Sequence, residues 1–457
     1  MKAIPRLITL YILLISLPSC KKYLDAKPDK TFNLPETLFD LRAIMDNESV
    51  MNCKSPSIDE GSTTDYFMPY ANYQSRAIYE QNLYTWSVTG DQFTNASDDW
   101  SYIYQPVYIA NVVLDNLANI SKTNQNANEW NDVKGSALFY RAFSFFRGAV
   151  IFSNSFDSAT MDTDLGVPLR LQSDFNTPTT RPSLRETVDK VLYDLKEAAT
   201  LLPDLPVKQT RPSKNSTYAL LSRIYLYLGN YDSSYRYADL ALKLNSRLLN
   251  YNNFDATAVI PFQRLNEEVI FHSIINIYIA GTIYPTTGFV DSNLYKSYEG
   301  NDIRSSIYFQ FVRRSNAYYF KGTYDGTSDK FFTGFANDEM YLTRAECYAR
   351  KGEVTNALLD LTTLLKNRYK TNTYSTPNLS DAGDVLQIIL NERRKELLFR
   401  GIRWMDIKRY NKKGANITLS RVVNGVLYSL PPNSKRFALP IPVAIIKTSG
   451  IKQNEYN

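Results

Sequence analysis

Two long stretches of the chain combine aromatic rings with short polar side chains. Residues 61–104 contain eleven aromatic side chains and residues 278–332 contain fourteen, interleaved with Gly, Asn, Asp, Ser and Thr and without a helical period. Such rings offer flat faces on which a ligand can stack, and the polar side chains between them can donate and accept hydrogen bonds. We call these stretches the first and second aromatic segments. We expect them to carry binding residues, because long irregular insertions on a rigid scaffold often do.

The candidate ligand-binding residues are aromatic and polar side chains of both segments: Asp65, Tyr66, Tyr70, Tyr73, Arg76, Trp86, Asn95, Tyr284, Tyr295, Asn316, Tyr318 and Tyr319. Trp86 is the strongest single candidate, because the Ser87, Gly90 and Asp91 that follow it are typical of an exposed turn. The alternative is that many of these rings pack the segments against helices, and for any single tyrosine packing is favoured. We expect at least one ring from each segment to contact ligand.

Catalytic chemistry has little support in the sequence. His272 is the only histidine, which excludes sites built on paired histidines, including the HExxH protease motif. It lies in the apolar run 269–274, so a structural role is expected. The chain also lacks a GxSxG elbow, a nucleotide-binding glycine loop and an EF-hand calcium loop. We predict no catalytic residue, no metal site and no cofactor.

Glu392 and Glu396 form the one pair of residues whose spacing could indicate a catalytic site. They are spaced for one face of a helix, and paired carboxylates are the machinery of glycoside hydrolases. The basic residues around them are Arg393, Arg394, Lys395 and Arg400. Ion pairs within the protein are therefore expected instead. The carboxylates that a hydrolase could otherwise use are Asp65, Asp98 and Asp99.

The first residues have the pattern of a lipoprotein signal peptide. Lys2 and Arg6 precede the apolar run 7–17, which is too short to span a bilayer and is typical of a signal-peptide core. The Leu17-Pro18-Ser19-Cys20 sequence is close to a bacterial lipobox, so we expect cleavage before Cys20 and lipid modification of its thiol. Several acyl chains would anchor a protein stably to a membrane surface.

Charge and cysteine content exclude further classes. A formal net charge of +6 on 457 residues gives no reason to expect nucleic-acid binding. Besides Cys20 only Cys53 and Cys347 are present, which is too few for a zinc ribbon or a disulfide framework. These two cysteines could form one disulfide or remain as free buried thiols.

Amphipathic helical patterns must position the two aromatic segments. They cover residues 101–120, 133–152, 187–202, 216–228, 232–245, 339–350, 354–368 and 384–400. Residues 222–244 and 345–367 repeat one pattern, in which a small residue lies seven positions before and another five positions after the glycine, Gly229 or Gly352. This spacing is typical of the paired helices of a tetratricopeptide repeat, where small residues allow close approach and glycine turns the chain.

A set of short motifs runs from the lipobox to the C-terminus: Tyr23-Leu24-Asp25, Trp100 with Tyr104 and Asn111, Arg141-Ala142-Phe143, Gly166-Val167-Pro168-Leu169, Asn266 to Phe271, Arg344-Ala345-Glu346, Glu392 to Leu397, Gly401 to Asp406, and Leu439-Pro440-Ile441-Pro442. In this order they resemble the SusD/RagB family of outer-membrane nutrient-binding lipoproteins from Bacteroidota. The chain departs from the family at Arg400 and Ile402, where an acidic residue and a histidine are usual. It departs again at Lys21-Lys22, where surface-exported lipoproteins tend to be acidic.

The resemblance implies a mostly α-helical fold, with tetratricopeptide-like helix pairs forming a superhelical scaffold, long irregular ligand-binding loops and minor β-hairpins. The domain organisation that we expect is a signal peptide at 1–19 followed by one composite domain at 20–457, with loop insertions at about 61–100 and 278–332.

The same resemblance implies a function. It indicates a non-catalytic lipoprotein, lipid-anchored at the outer membrane on the cell surface, that binds an oligosaccharide and delivers it to a partner SusC-like TonB-dependent transporter. Three alternatives remain: capture of peptides by the same architecture, a glycoside hydrolase, and a helical scaffold without a small ligand.

Overall fold

The computed structural model describes residues 35–88, 99–275, 283–284 and 286–456. The chain divides into two compact units, Met1–Thr37 and Leu38–Asn457. Only residues 35–37 of the first unit are described, and the helices and strands of the described chain lie in the second. The predicted signal peptide, Cys20 and Asn95 lie outside the described residues. The single composite domain at 20–457 stays a prediction.

Helices are the dominant elements of the described chain. In chain order they are α1 (Leu38–Met45), α2 (Glu48–Met51), α3 (Ile58–Gly61), α4 (Tyr70–Gln74), α5 (Ile78–Tyr84), α6 (Asp99–Leu117), α7 (Ala127–Phe152), α8 (Leu184–Leu201), α9 (Lys214–Tyr227), α10 (Tyr231–Leu244), α11 (Ser292–Lys296), α12 (Arg304–Ile307), α13 (Asn337–Arg350), α14 (Val354–Leu365), α15 (Ala382–Glu396), α16 (Arg403–Lys412) and α17 (Val443–Ser449). Short 3-10 turns cover Tyr251–Asn253 and Lys435–Phe437. Each amphipathic pattern of the sequence corresponds to a helix, so the mostly α-helical fold is confirmed.

Local sequence explains where these helices begin and end. Ser183 caps α8: its hydroxyl accepts the Glu186 backbone N–H, and the Glu186 carboxylate accepts the Ser183 N–H at 2.7 Å, which is a capping box. The pattern at 384–400 predicts a longer helix than α15. Phe399 (φ 56°) and Gly401 (φ 67°) are in the left-handed region, which is incompatible with helix continuation.

The two predicted helix–turn–helix pairs are present. Gly229 (φ 72°) turns the chain between α9 and α10, and Gly352 (φ 79°) turns it between α13 and α14. In the first pair the hydroxyls of Ser222 and Ser234 each donate to the other residue's carbonyl oxygen, at 2.9 and 3.0 Å. Helices α10 and α13 pack against each other and so join the pairs. The superhelix of the tetratricopeptide type stays a prediction.

Strands are short and form two-stranded antiparallel ladders. They are β1 (Tyr66–Phe67), β2 (Val269–Phe271), β3 (Ile274–Ile275), β4 (Phe289–Val290), β5 (Phe309–Val312), β6 (Ala317–Phe320), β7 (Phe331–Phe332), β8 (Phe335–Ala336), β9 (Leu419–Val423) and β10 (Val426–Leu430). The ladders are β1–β4, β2–β8, β3–β7, β5–β6 and β9–β10. The β9–β10 hairpin turns at Asn424 (φ 48°) and Gly425 (φ 78°), as expected of a tight turn that needs left-handed residues.

Two hydrophobic cores fill the second unit. The larger one lies among the helices, with α7 buried almost without interruption over 133–152. The smaller one draws mainly on the aromatic segments, and its large rings are Tyr66, Tyr84, Tyr251, Phe262, Tyr298, Tyr308, Phe309, Phe320, Tyr324, Phe331, Phe332 and Phe399. All of these rings therefore pack inside the protein.

Among the described residues, no helix has the length and hydrophobicity that a bilayer span requires.

Candidate ligand-binding site

The structure places the two aromatic segments side by side. Strand β1 pairs with β4, so that Phe67 lies opposite Phe289. The ladder is extended by the Asp291 N–H, which donates to the Asp65 carbonyl at 2.8 Å. The Asn72 amide donates to the Thr287 carbonyl at 2.9 Å. Side chains from both segments can thus belong to one surface.

Tyr70 and Tyr73 form the first exposed aromatic pair. Both are on the short helix α4, which directly follows β1, and their rings lie nearly parallel with centroids 6.5 Å apart at 20°. The Tyr70 side chain is 42% exposed, whereas Tyr73 is half-buried against Tyr84 at 5.7 Å. Tyr70 therefore has an exposed ring that packs against the ring of Tyr73.

Tyr295 and Tyr318 form the second aromatic pair. Tyr295 on α11 stacks on Tyr318 of β6 with centroids 3.7 Å apart at 15°. Phe311 of β5, which is 45% exposed, flanks Tyr318 at 5.1 Å. Strand β6 packs against β4, which in turn pairs with β1. The two tyrosine pairs, Tyr70–Tyr73 and Tyr295–Tyr318, are thus connected through three strands.

The other polar candidates differ in exposure and in partners. Asn316 is exposed at the β5–β6 turn with φ 46°, and Tyr319 is partly exposed on the strand residue next to Tyr318. The half-buried Arg76 guanidinium lies 4.0 Å from the Glu80 carboxylate. Tyr284 is partly exposed, and its carbonyl accepts the N–H groups of the turn that follows. These groups supply amide, guanidinium and hydroxyl donors of the kind that sugar hydroxyls require.

The protonation of the tyrosines suits hydrogen bonding. Burial raises the pKa of Tyr73 above its ordinary value. Burial, together with the neighbouring Tyr318 hydroxyl, raises the pKa of Tyr295 to about 12. Both phenols are therefore neutral near pH 7, and each can donate one hydrogen bond and accept others.

Trp86 does not have the exposed position that the sequence indicates. Its side chain is 3% exposed, and its indole N–H donates to the Ser62 carbonyl at 2.9 Å. The notch beside it holds only about 10 Å³, which is room for about one water molecule and not for a sugar ring. The guanidinium of Arg421, from β9, lies 5.0 Å from the Trp86 ring. The expectation of an exposed turn is wrong because this hairpin covers the ring.

Asp65 and Tyr66 are also internal. The Asp65 side chain is buried, and its Oδ1 accepts hydrogen bonds from Arg394 at 2.5 and 2.9 Å. Arg403 lies 3.6 Å from the other carboxylate oxygen. The Tyr66 hydroxyl donates to the Gly61 carbonyl at 2.6 Å. Both residues stabilise the interior beneath the site, and the prediction that they contact a ligand is wrong.

Glu392 and Glu396 lie in a buried ion network. Arg304 donates to Glu392 at 2.6 Å and to Glu396 at 2.9 Å, and Arg368 donates to Glu396 at 2.6 Å. Burial opposes ionisation of Glu396, but Arg368 and Arg304 hold its pKa below the ordinary value. The expected internal ion pairs are confirmed. The main partners, Arg304 and Arg368, come from other parts of the chain.

Three buried carboxylates converge at the same network. Oxygens of Glu268, Asp338 and Glu396 lie within 4.8 Å of one another. Arg368 donates to Glu268 at 2.7 Å, and Arg400 donates to Asp338 at 3.0 Å. Since arginines already supply the positive charge, this cluster is explained as part of the internal ion network.

The remaining chemistry-bearing residues have structural surroundings. His272 is fully buried, with Nε2 2.9 Å from the Asp325 carboxylate, which agrees with the structural role expected for it. Asp99 is also buried, and its carboxylate accepts the N–H groups of Ser57 and Ile58 at 2.6 Å. Cys53 and Cys347 are free thiols, so the disulfide alternative does not hold.

Two family models match the chain. Residues 22–226 match a model described as starch-binding associating with outer membrane, and residues 279–456 match the SusD family model. The SusD-like protein P2 of Formosa agariphila is 26% identical over 176 residues, which are 38% of this chain and 32% of that protein. The chain thus matches about a third of that relative's length.

Solved structures share the fold. A putative sugar binding protein from Bacteroides vulgatus has a TM-score of 0.77 at 21% identity, covering 93% of this chain and 100% of its own. A SusD superfamily protein from Bacteroides thetaiotaomicron has a TM-score of 0.75 at 20% identity, covering 92% and 100%. A SusD-like carbohydrate binding protein from Bacteroides vulgatus has a TM-score of 0.65 at 19% identity, covering 91% and 97%.

Proposed function

Since the chain belongs to the SusD family, we propose that it is a non-catalytic glycan-binding lipoprotein of the outer membrane that captures oligosaccharide and delivers it to a SusC-like TonB-dependent transporter. The family description of starch binding at the outer membrane supports this assignment. The observation in this chain that carries it is the presence of two parallel tyrosine pairs, one from each aromatic segment.

The tyrosine pairs suit a sugar ligand for a physical reason. A sugar ring stacked on Tyr70 would cover the exposed part of that ring, which packs against Tyr73, itself in contact with Tyr84. Neutral phenols, the Asn316 amide and the Arg76 guanidinium can bind hydroxyls without any change of protonation. The residues that we propose to contact ligand are Tyr70, Tyr73, Arg76, Tyr284, Tyr295, Asn316 and Tyr318; Tyr319, the next residue of β6, points to the opposite face of the ladder from Tyr318.

The direct test is a binding experiment. The purified full chain, checked for folding by circular dichroism, is titrated by calorimetry with neutral and acidic polysaccharides, soluble starch among them. Saturable binding of at least one glycan is expected. A folded sample that binds none would contradict the proposal. Chromatography of the same mixtures should show unchanged glycan, and release of shorter products would contradict the non-catalytic part.

The anchor and the transporter are tested separately. We expect the wild-type chain to fractionate with outer membranes and a Cys20→Ser variant to leave them, because the lipid-accepting thiol is gone. Co-purification of a TonB-dependent transporter with the wild-type chain from native membranes is the result expected for the partner. Membrane association that is unchanged in Cys20→Ser would contradict lipid anchoring at that residue.

A further inference from the structure

A polar cleft of about 670 Å³ lies beside α11. Its walls are α11, the segment 369–377 that follows α14, and one side of α15. The side chains that matter for its chemistry are Asn293, Ser297, Tyr369, Tyr374, Ser375 and Asn391. None of these residues belongs to the two tyrosine pairs.

The cleft contains polar groups that the protein leaves available. Within the part of the chain that the structure describes, the Asn293 amide and the Ser375 hydroxyl make no hydrogen bond, and both residues are exposed. Asn391 accepts a hydrogen bond from Gln387 through its oxygen at 3.1 Å, which leaves its NH₂ group as a donor. Amides and hydroxyls facing a cavity are the groups that bind sugar hydroxyls.

Aromatic surface is present in the same cleft. Tyr374 is partly exposed and packs against Tyr369 edge to face, with centroids 5.0 Å apart at 61°. Tyr369 is buried and holds the Tyr374 ring in place. The cleft therefore has a supported ring beside free amides, which is the same combination as in the tyrosine pairs.

The charges around the cleft are nearly all satisfied inside the protein. Lys395 donates to Glu392 at 2.7 Å, and Arg394 is held by the buried Asp65. Glu299 is an exposed carboxylate at the edge of the cleft. The lining carries two carboxylates, Glu299 and Glu392, and two cations, Arg394 and Lys395, which cancel in formal charge, so it favours a neutral ligand.

Helix α11 joins this cleft to the tyrosine pair. It is five residues long and carries Tyr295, which stacks on Tyr318, as well as Asn293, which lines the cleft. We propose that the cleft is a second subsite for a neutral oligosaccharide, adjoining the Tyr295–Tyr318 pair across α11. This inference rests on the proposed glycan-binding function and adds to it the place and charge class of a further ligand contact.

The test uses variants that narrow the cleft or remove its amide groups and that leave the tyrosine pairs unchanged. Asn293→Ala combined with Asn391→Ala removes its free amides, and Ser375→Leu narrows it with an apolar side chain that offers no ring for stacking. Because all three residues are exposed, the variants should fold, which circular dichroism and thermal melting check. Phe175→Ala, at an exposed residue elsewhere, is the control.

The probes are malto-, cello-, xylo- and manno-oligosaccharides as neutral ligands and oligogalacturonate as the acidic one, each titrated into the full chain by calorimetry. For any neutral oligosaccharide that the wild type binds, we expect both cleft variants to weaken binding about tenfold, the effect of losing one or two ligand hydrogen bonds. The control variant should match the wild type.

The other outcomes separate the two proposals. If Tyr70→Ala weakens binding and both cleft variants do not, the subsite is overturned while the proposed function stands. If oligogalacturonate binds more tightly than every neutral probe and the cleft variants weaken it, the neutral charge class is overturned. If the folded wild type binds none of these probes, the subsite for a neutral oligosaccharide is overturned, and the titration with polysaccharides decides the proposed function separately.

Discussion

The guanidinium carbon of Arg421 lies 3.7 Å from the centre of the Tyr84 ring. Tyr66 and Trp86 flank the same guanidinium at 4.9 and 5.0 Å. Arg421 also donates to the carbonyl oxygens of Tyr84 and Thr63. A side chain of the β9–β10 hairpin thus occupies the centre of the first aromatic segment, and the rings around it stabilise the protein.

Arg421→Ala should destabilise the fold. A desolvated cation–π contact contributes about 2 kcal/mol, and two buried carbonyl oxygens would lose their donor. We expect a loss of roughly 2–4 kcal/mol in the free energy of unfolding, measured by urea denaturation. Arg313→Ala, at an exposed arginine of the β5–β6 turn, should change it by less than about 0.5 kcal/mol. Equal stability of the two variants would contradict the role given to Arg421.

Tyr70→Ala should weaken glycan binding and leave stability nearly unchanged. The ring is partly exposed, so its removal deletes a stacking surface with little loss of core packing. We expect affinity to fall about tenfold, or ~1.4 kcal/mol, in calorimetric titration. Tyr193→Ala provides a matched control, because Tyr193 is an exposed tyrosine on α8. Unchanged affinity in Tyr70→Ala would remove this ring from the site.

Glu60→Gln should reduce the pH dependence of stability. Glu60 is buried, and burial together with Asp65 and Asp59 raises its pKa to about 8. A carboxyl whose pKa is raised on folding contributes stability that is full below its unfolded pKa of about 4.3 and is lost as pH rises through the folded value. The wild type should therefore lose stability between about pH 5 and 8, with at most ~1.4 kcal/mol per pH unit from this group.

In the Gln variant the amide oxygen can still accept the Gly401 N–H, which Glu60 binds at 2.7 Å. The free energy of unfolding of this variant, measured by urea denaturation at pH 5, 6, 7 and 8, should therefore change less with pH than that of the wild type. Glu129→Gln, at an exposed residue of α7, should leave the wild-type profile in place. Identical slopes for wild type and Glu60→Gln would show that another group controls this pH range.

Gly352→Ala should be destabilising through backbone conformation alone. Its φ of 79° is one that residues with a Cβ rarely adopt, although an added Cβ would meet no atom within 4 Å. We expect a loss of about 1–2 kcal/mol, measured by thermal or urea denaturation. Gly300→Ala is the matched control, because that residue also has open space and lacks a left-handed φ. A loss of the same size at both positions would point to a cause other than φ.

Much of the helical scaffold could be predicted because its determinants are local. Ser183 and Glu186 form a capping box within four residues, and Gly229 and Gly352 mark turns whose geometry needs glycine. Apolar spacing within each helix then identifies the buried face. These signals require no knowledge of distant parts of the chain.

The site was only partly predictable because its determinants are distant in sequence. The sequence predicts Trp86 to be an exposed turn residue, but the Arg421 guanidinium, distant in sequence, lies against its ring. The sequence likewise predicts Asp65 to bind ligand hydroxyls, but its carboxylate is paired with the distant Arg394. The Asn424-Gly425 turn signal could have revealed the β9–β10 hairpin, but not which rings its arginine contacts. Tyr70, Tyr295 and Tyr318 were identifiable by type, and their mutual stacking was not.

The short β1–β4 ladder has a consequence for how the chain matures. It ties a segment from the first matched part of the chain to a segment from the second, and each contributes one tyrosine pair. During synthesis, Tyr70 and Tyr73 leave the ribosome long before Tyr295 and Tyr318 exist. On the proposed function, ligand affinity would thus be acquired late, after translation has passed β6, and a product truncated before β4 would contain the residues of α1 to α10 and the first tyrosine pair without the second.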